Sequence, residues 1–139
     1  MSRVLLFLTF VLSLTSCHKK GSGESVKFEQ YYVQGEQLYM THCSNCHQVD
    51  GSGLGLLYPP IKESDFMDRN FEEVLCMMKN GRSGEITVNG KVFNQPMPGV
   101  PTLTNLEIAE IATYIYNTWD HKRGIVEVTS VNPIMENCQ

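Results

Sequence analysis

The stretch THCSNCHQVDGSG, residues 41–53, places two cysteines and a histidine within five residues and then enters a glycine-rich loop. Three chemistries compete for Cys43, Cys46 and His47. A structural zinc site needs four ligands, commonly a second pair at a recognisable spacing, and no CxxC or HxxxH recurs downstream. A thioredoxin-like dithiol belongs at the start of a helix that follows a strand, whereas this motif follows a helical pattern and runs into glycines. The third reading is covalent attachment of a c-type haem, for which CxxCH is a signature. Two thiols about one helical turn apart reach both vinyl groups of one porphyrin, and the adjoining His47 then lies under the iron.

Outward from the motif the chain reads as helical. FEQYYVQGEQLYMTH, residues 28–42, lacks proline and spaces Phe28, Tyr31, Tyr32, Gly35, Leu38, Tyr39 and His42 by threes and fours, along one side of a helix. Gly35 there costs roughly 1 kcal/mol against Ala, so it points to a packing reason such as close approach of a second helix. TNLEIAEIATYIYNTW, residues 104–119, opens with a capping box of Thr104 and Glu107 and carries Ile108, Ile111, Ala112, Ile115 and Trp119 as an apolar stripe. A shorter helix is expected over residues 70–79, with Asn70 as cap, Glu72 and Glu73 in its first turn and Gly81 past its end. ITVNGKVF, residues 86–93, reads as a loop with hairpin character around an Asn-Gly turn, since two strands of three residues are marginal alone. No internal repeat and no pattern for a large sheet is present, so the expected class is all-α.

A haem iron needs a second axial decision, which separates electron carriers from ligand binders. Of the seven methionines, Met1 is the initiator, Met40 sits on the first helix, and Met77 and Met78 belong to a helix where core packing is the default role. Met97 differs. It lies in NQPMPGVP, where three prolines stiffen an extended loop that can present one side chain. It follows His47 by 50 residues, ample chain to cross to the other haem face. His18, His42 and His121 read as solvent-facing or packed, with a second axial role as their alternative.

The 139 residues suit one domain, and the formal charge of -4 with scattered Lys and Arg gives no basic stripe for nucleic acid. The first sixteen residues read as a cleaved secretory signal: Arg3 is followed by the apolar run VLLFLTFVLSL, too short to span a bilayer. The closing LTSC resembles a bacterial lipobox, which implies that Cys17 takes the lipid and becomes the first mature residue. Residues 17–27, the lipidated Cys17 followed by HKKGSGESV, read as a flexible tether ahead of a domain over 28–120 and an extension over 121–139. Removing residues 1–16 deletes only Arg3, leaving 10 basic against 15 acidic side chains, or -5. An exported protein lipid-anchored to a membrane, on the periplasmic side, is the resulting expectation.

With these features in place the chain resembles a class I monohaem cytochrome c, and more narrowly the bacterial domains associated with respiratory oxidases and reductases. The resemblance implies a cytochrome c fold of three to five helices around one covalent haem c, with its first and last helices crossing. It implies that Gly35 and Tyr39 pack against an aromatic on the last helix, best matched by Tyr114. It implies that Pro59, or its neighbour Pro60, offers a carbonyl to the second ring nitrogen of His47, and that the MP dipeptide of Met97 and Pro98 supplies the other axial ligand. With both axial positions filled, no small-molecule substrate is expected.

Beyond Trp119 the tail HKRGIVEVTSVNPIMENCQ departs from the short family pattern. Cys76 and Cys138 are the two cysteines left over, and in an oxidising compartment they either pair or stand as separate thiols. The primary functional expectation is a tethered carrier moving single electrons between a quinol-oxidising complex and a terminal oxidase or reductase. The alternatives are a ligand-binding or sensing haem protein with a labile Met97, and a fixed electron-transfer subunit of a larger complex. No catalytic constellation stands apart from the haem site.

Overall fold

The computed structural model describes residues 23–138. The expected signal segment, the expected lipidation residue Cys17 and His18 lie outside the described residues. The elements in chain order are α1 (Gly23–His42), α2 (Ser44–His47), α3 (Asp65–Arg69), α4 (Phe71–Asn80), β1 (Gly81–Arg82), β2 (Ile86–Val88), β3 (Lys91–Phe93), β4 (Met97–Pro98), α5 (Asn105–Ile115) and α6 (Val128–Asn137). The architecture is mostly helical, with two small antiparallel strand pairs, β1 with β4 and β2 with β3.

Helix α1 begins at Gly23, five residues ahead of the expected 28, so residues 23–27 of the anticipated tether are helical. Glu24 sits in the first turn, where a negative charge favours the helix dipole. Lys27 pairs with Glu127 and lies 5.6 Å from the centre of the Tyr31 ring, which ties this turn to the far end of the chain. The frame of the fold is the crossing of α1 and α5. Gly35 lies at it, buried, and a Cβ there would fall 1.9 Å from the Glu110 carbonyl oxygen, so the backbones approach closer than any side chain allows. Around that contact Tyr39, Ile108, Ile111, Ala112 and Tyr114 are buried. Each fully buried aliphatic side chain of this kind contributes about 1.5 to 3 kcal/mol.

Helix α5 has the expected capping box, Thr104 Oγ1 accepting from Glu107 N at 3.2 Å while Glu107 Oε2 accepts from Thr104 N at 2.8 Å. It stops at Ile115, not at Trp119. Asn117 is the reason: its amide donates to Thr113 O and to Gly124 O, both at 2.7 Å, and its Oδ1 accepts from Gly124 N at 2.6 Å. A polar side chain that captures the last carbonyls offers the backbone an alternative to another turn. Trp119, at φ 57°, therefore leaves the helical stripe and packs by its ring against Tyr39 and Tyr114 at 5.8 and 6.0 Å.

Asn70 precedes α4 as anticipated, but its side chain does not cap that helix; Nδ2 donates backwards to Phe66 O at 3.0 Å and closes α3. The anticipated hairpin forms, Ile86 opposite Phe93 and Val88 opposite Lys91. The tail is more ordered than its sequence suggests. Helix α6 buries Val131 completely, and it is anchored by Thr113, whose Oγ1 accepts from Val126 N at 3.0 Å and donates to Ala109 O at 2.8 Å. Cys76 on α4 and Cys138 at the end of α6 are joined by a disulfide, their Cα atoms 5.4 Å apart.

Candidate functional site

Cys43 follows α1 with its N–H on the Tyr39 carbonyl at 2.9 Å, and its own carbonyl accepts from Cys46 N at 3.1 Å and His47 N at 3.0 Å. One turn of chain thus separates the two cysteines, and neither is taken up in the disulfide. Burial, with Cys46 nearby, pushes the Cys43 thiol up to about 12. Gln48 breaks the turn at φ 65°, and its carbonyl is held by Tyr39 Oη at 2.6 Å. The chain then loops back on itself: Gly53 N donates to His47 O at 2.9 Å and Ile61 N to Gly51 O at 2.8 Å. Gly53, at φ 69°, has no space for a side chain, since a Cβ would meet the Tyr58 carbonyl oxygen at 2.3 Å.

The loop delivers a carbonyl to the imidazole. His47 Nδ1 lies 2.9 Å from Pro59 O. A carbonyl only accepts, so Nδ1 carries the hydrogen and Nε2 keeps its lone pair. Burial lowers the His47 pKa, against a smaller opposing effect of the Pro59 bond, which favours this neutral form.

These groups open into one crevice, apolar in its lining and open to solvent at its mouth. The motif contributes Cys43, Cys46 and His47, and α5 contributes Ile111 and Ile115. The hairpin contributes Val88 and Phe93, both almost wholly buried. Four methionines line it: Met67 on α3, Met77 and Met78 on α4, and Met97. Met97 alone among them is on extended chain. It stands opposite Arg82 in the β1–β4 ladder, with Pro98 opposite Gly81, and the next turn is fixed by Val100 N donating to Met78 O at 2.9 Å.

His42 is exposed in the last turn of α1, and His121 is buried with Nε2 3.1 Å from Ile61 O and Nδ1 3.2 Å from Asp68 Oδ1. Neither lines the crevice. Met67, Arg82, Val88 and Phe93 escaped the sequence reading. The Asn-Gly turn carried a signal for the hairpin pair, but no local pattern announces a two-residue ladder between residues 81–82 and 97–98.

Among the described residues no group of three or more His, Cys, Asp or Glu side chains is arranged to hold a metal ion, so the motif lacks the partners a tetrahedral zinc site needs. An apolar crevice lined by two cysteines one turn apart, neither of them in the disulfide, with an imidazole oriented beside them, fits a covalently attached porphyrin. The cytochrome c family profile matches residues 32–119. The chain is also similar to cytochrome c-552 of Thermus thermophilus, 28% identical over 97 residues that make up 67% of this chain and 73% of that protein. A second cytochrome c-552, also from a Thermus thermophilus strain, is likewise 28% identical over 97 residues, and the match spans 65% of its length. From the crevice, the motif and this family match together, the chain belongs to the cytochrome c family, as a mostly helical class I monohaem protein that carries covalent haem c and transfers electrons.

Proposed function

We propose that this cytochrome is a membrane-tethered carrier that passes single electrons between respiratory-chain complexes by outer-sphere transfer. The haem supplies an iron that alternates between the ferric and ferrous states. Cys43 and Cys46 would hold the ring as thioethers, and His47 Nε2 and Met97 Sδ would ligate its iron. Pro59 fixes the His47 tautomer and strengthens it as a donor. The observation that carries this reading is the hydrogen bond of His47 Nδ1 to Pro59 O within the crevice that Met97 also lines. With both residues on the iron there would be no open site for a substrate, and a Met ligand would raise the potential toward that of respiratory carriers.

Exposed Leu54, Leu56 and Leu57, in the loop that leads to Pro59, support a docking surface close to the crevice. The partners in this reading are a quinol-oxidising complex as donor and a terminal oxidase or reductase as acceptor. Lipid on Cys17 holds the protein at the periplasmic face of a membrane.

Adding CO to the purified ferrous protein tests the ligand set. The expected spectrum is unchanged, and rapid tight CO binding overturns the carrier reading. Mass spectrometry of the mature N-terminus tests the anchor: the expected species is an acylated Cys17, and an unmodified N-terminus removes the lipid from the proposal.

A further inference from the structure

Arg82 carries a polar atom that the described chain leaves unpaired. Its Nε is buried with no hydrogen-bond partner, while the side chain as a whole remains 32% exposed. Nη1 is taken by Glu73 Oε1 on α4. Leaving a buried donor unmade costs about 1 to 3 kcal/mol, and more for a charged group, so native proteins nearly always supply a partner. The position of Arg82 indicates where that partner comes from. The residue lines the haem crevice, and the β1–β4 ladder holds its backbone directly opposite Met97.

The charges around the crevice leave few candidates. Arg82 is the one Lys or Arg among the residues that line it, and none of those residues is Asp or Glu. On α4, Glu73 already holds Nη1, and Lys79 donates to the Leu103 carbonyl at 3.0 Å. Glu85, in the turn that follows Arg82, is exposed, and Lys62 beside the motif loop is paired with Asp50. Besides Arg82, the titratable side chains on the crevice wall are Tyr39, Tyr58, His47, Cys43 and Cys46, and no carboxylate stands among them. A haem brings two propionate carboxylates at its rim. A guanidinium is a rigid planar fork that matches a carboxylate, and such charge-assisted bonds are among the strong ones.

We propose that Arg82 binds a haem propionate through its buried Nε–H edge, with Glu73 holding the opposite edge of the fork. The proposal rests on the haem occupying this crevice. The positive charge sits between the propionate and Glu73 and favours the reduced iron. Glu73 partly offsets it, so the pair sets the potential of the carrier as well as the seat of the ring.

The test uses the holoproteins of wild type, Arg82→Gln, Arg82→Lys and Glu73→Gln. Midpoint potentials are measured by spectroelectrochemistry, with haem content and the Met97 ligation spectrum recorded for each. Arg82→Gln is expected to lower the reduction equilibrium constant about tenfold, ~59 mV for one electron, with the ligation spectrum intact. Arg82→Lys is expected to restore most of that loss, and Glu73→Gln to move the potential upward. An unchanged potential in Arg82→Gln, or a fall that lysine does not reverse, overturns the assignment. Should Arg82→Gln fail to assemble, Glu73→Gln decides alone, and a potential that does not rise overturns it. A wild-type protein without covalent haem would instead overturn the reading of the crevice, an outcome seen before any variant is compared.

Discussion

Residues 43–61 and residues 81–98 both line the crevice proposed to hold the haem, and they are held there in different ways. The first region closes on itself. His47 O, Gly51 O and Pro59 O accept from Gly53 N, Ile61 N and His47 Nδ1, each bond joining residues no more than twelve apart along the chain. The second region adds to its own ladder contacts with distant parts of the molecule. Arg82 pairs across the ladder with Met97, Glu73 holds the Arg82 head, and Asn89 at the hairpin tip bonds to Asp65 and to the Glu63 carbonyl. A ligand fixed by its own loop survives changes elsewhere, whereas a ligand placed by a set of long-range contacts is exposed to all of them.

The sharpest way to break that contrast is to remove each proposed axial residue in turn. His47→Ala is expected to abolish recovery of holoprotein, read as covalent haem per polypeptide in a haemochrome assay. Met97→Ala is expected to keep its haem, to bind CO in the ferrous state, and to lower the reduction equilibrium constant by at least about tenfold, ~59 mV. Met77→Ala, in contrast, should leave CO binding negligible, because Met77 is assigned to packing. If Met77→Ala opens the iron and Met97→Ala does not, the second region has been assigned the wrong ligand.

Gly35→Ala probes the frame on which both regions rest. A Cβ placed 1.9 Å from the Glu110 carbonyl forces α1 and α5 apart. The expected loss is about 3 kcal/mol or more in denaturant unfolding, at the upper end of overpacking effects. It should affect both regions together, since Tyr39 and the α5 residues Ile111 and Ile115 line the crevice from the two crossing helices. A variant of wild-type stability would mean that the crossing relaxes without cost.

The same contrast explains what could be read in the chain before folding. Cys43, Cys46 and His47 are contiguous, so their geometry is written in five letters. The capping box of Thr104 and Glu107 and the crossing at Gly35 were legible for a similar reason, each being a local rule with a local signature. Met97 was legible only through its flanking prolines. Arg82 was not, because its meaning comes from Met97 fifteen residues later and from Glu73 nine residues earlier. Helix α6 stayed hidden because Pro133 and the β-branched Val128, Thr129 and Val131 lower its intrinsic helix propensity. Tertiary burial of Val131 and the Cys138 bridge supply what propensity lacks. Trp119 misled for the opposite reason: its spacing fits the α5 stripe, yet Asn117 ends the helix first.

The Cys76–Cys138 bridge lets the contrast be sharpened from the far side of α4, the helix that leads directly into Gly81 and Arg82. Cys138→Ser is expected to cost about 2 to 4 kcal/mol of stability, since a bridge closing a long loop restricts the unfolded chain most. In rising urea, the spectral signature of Met97 ligation should disappear at lower denaturant than in wild type, before the haem leaves His47. Simultaneous loss of both ligands would show that the two regions unfold as one unit.

The smallest expected effect lies at the hairpin tip. Asp65 Oδ1 accepts from Asn89 N at 2.7 Å while Asp65 N donates to Asn89 Oδ1 at 3.0 Å, a reciprocal latch between α3 and the hairpin. The Asn89 N–H, and then the Arg69 guanidinium, hold the Asp65 carboxyl below its ordinary 3.8. A carboxyl whose folded pKa is depressed adds stability that is fully present above the unfolded value, and that stability is lost as pH falls through the folded one. The motif loop has its own carboxylate, Asp50, held down to about 2 by Ser52 and then by Lys62. Both carboxylates face solvent, so neither decides global stability. The readout is therefore local: amide exchange at Asn89 in the ferrous protein, followed by NMR at about pH 6 and about pH 3, with the faster acid-side opening separated from intrinsic exchange. Protection in the wild type should fall a few-fold across that window. In Asp65→Asn it should already be low at the higher pH and change little, because the latch has no charge left to lose. Equal pH dependence in both proteins would mean that the tip is held by the hairpin alone, and that the second region depends less on distant contacts than its hydrogen bonds suggest.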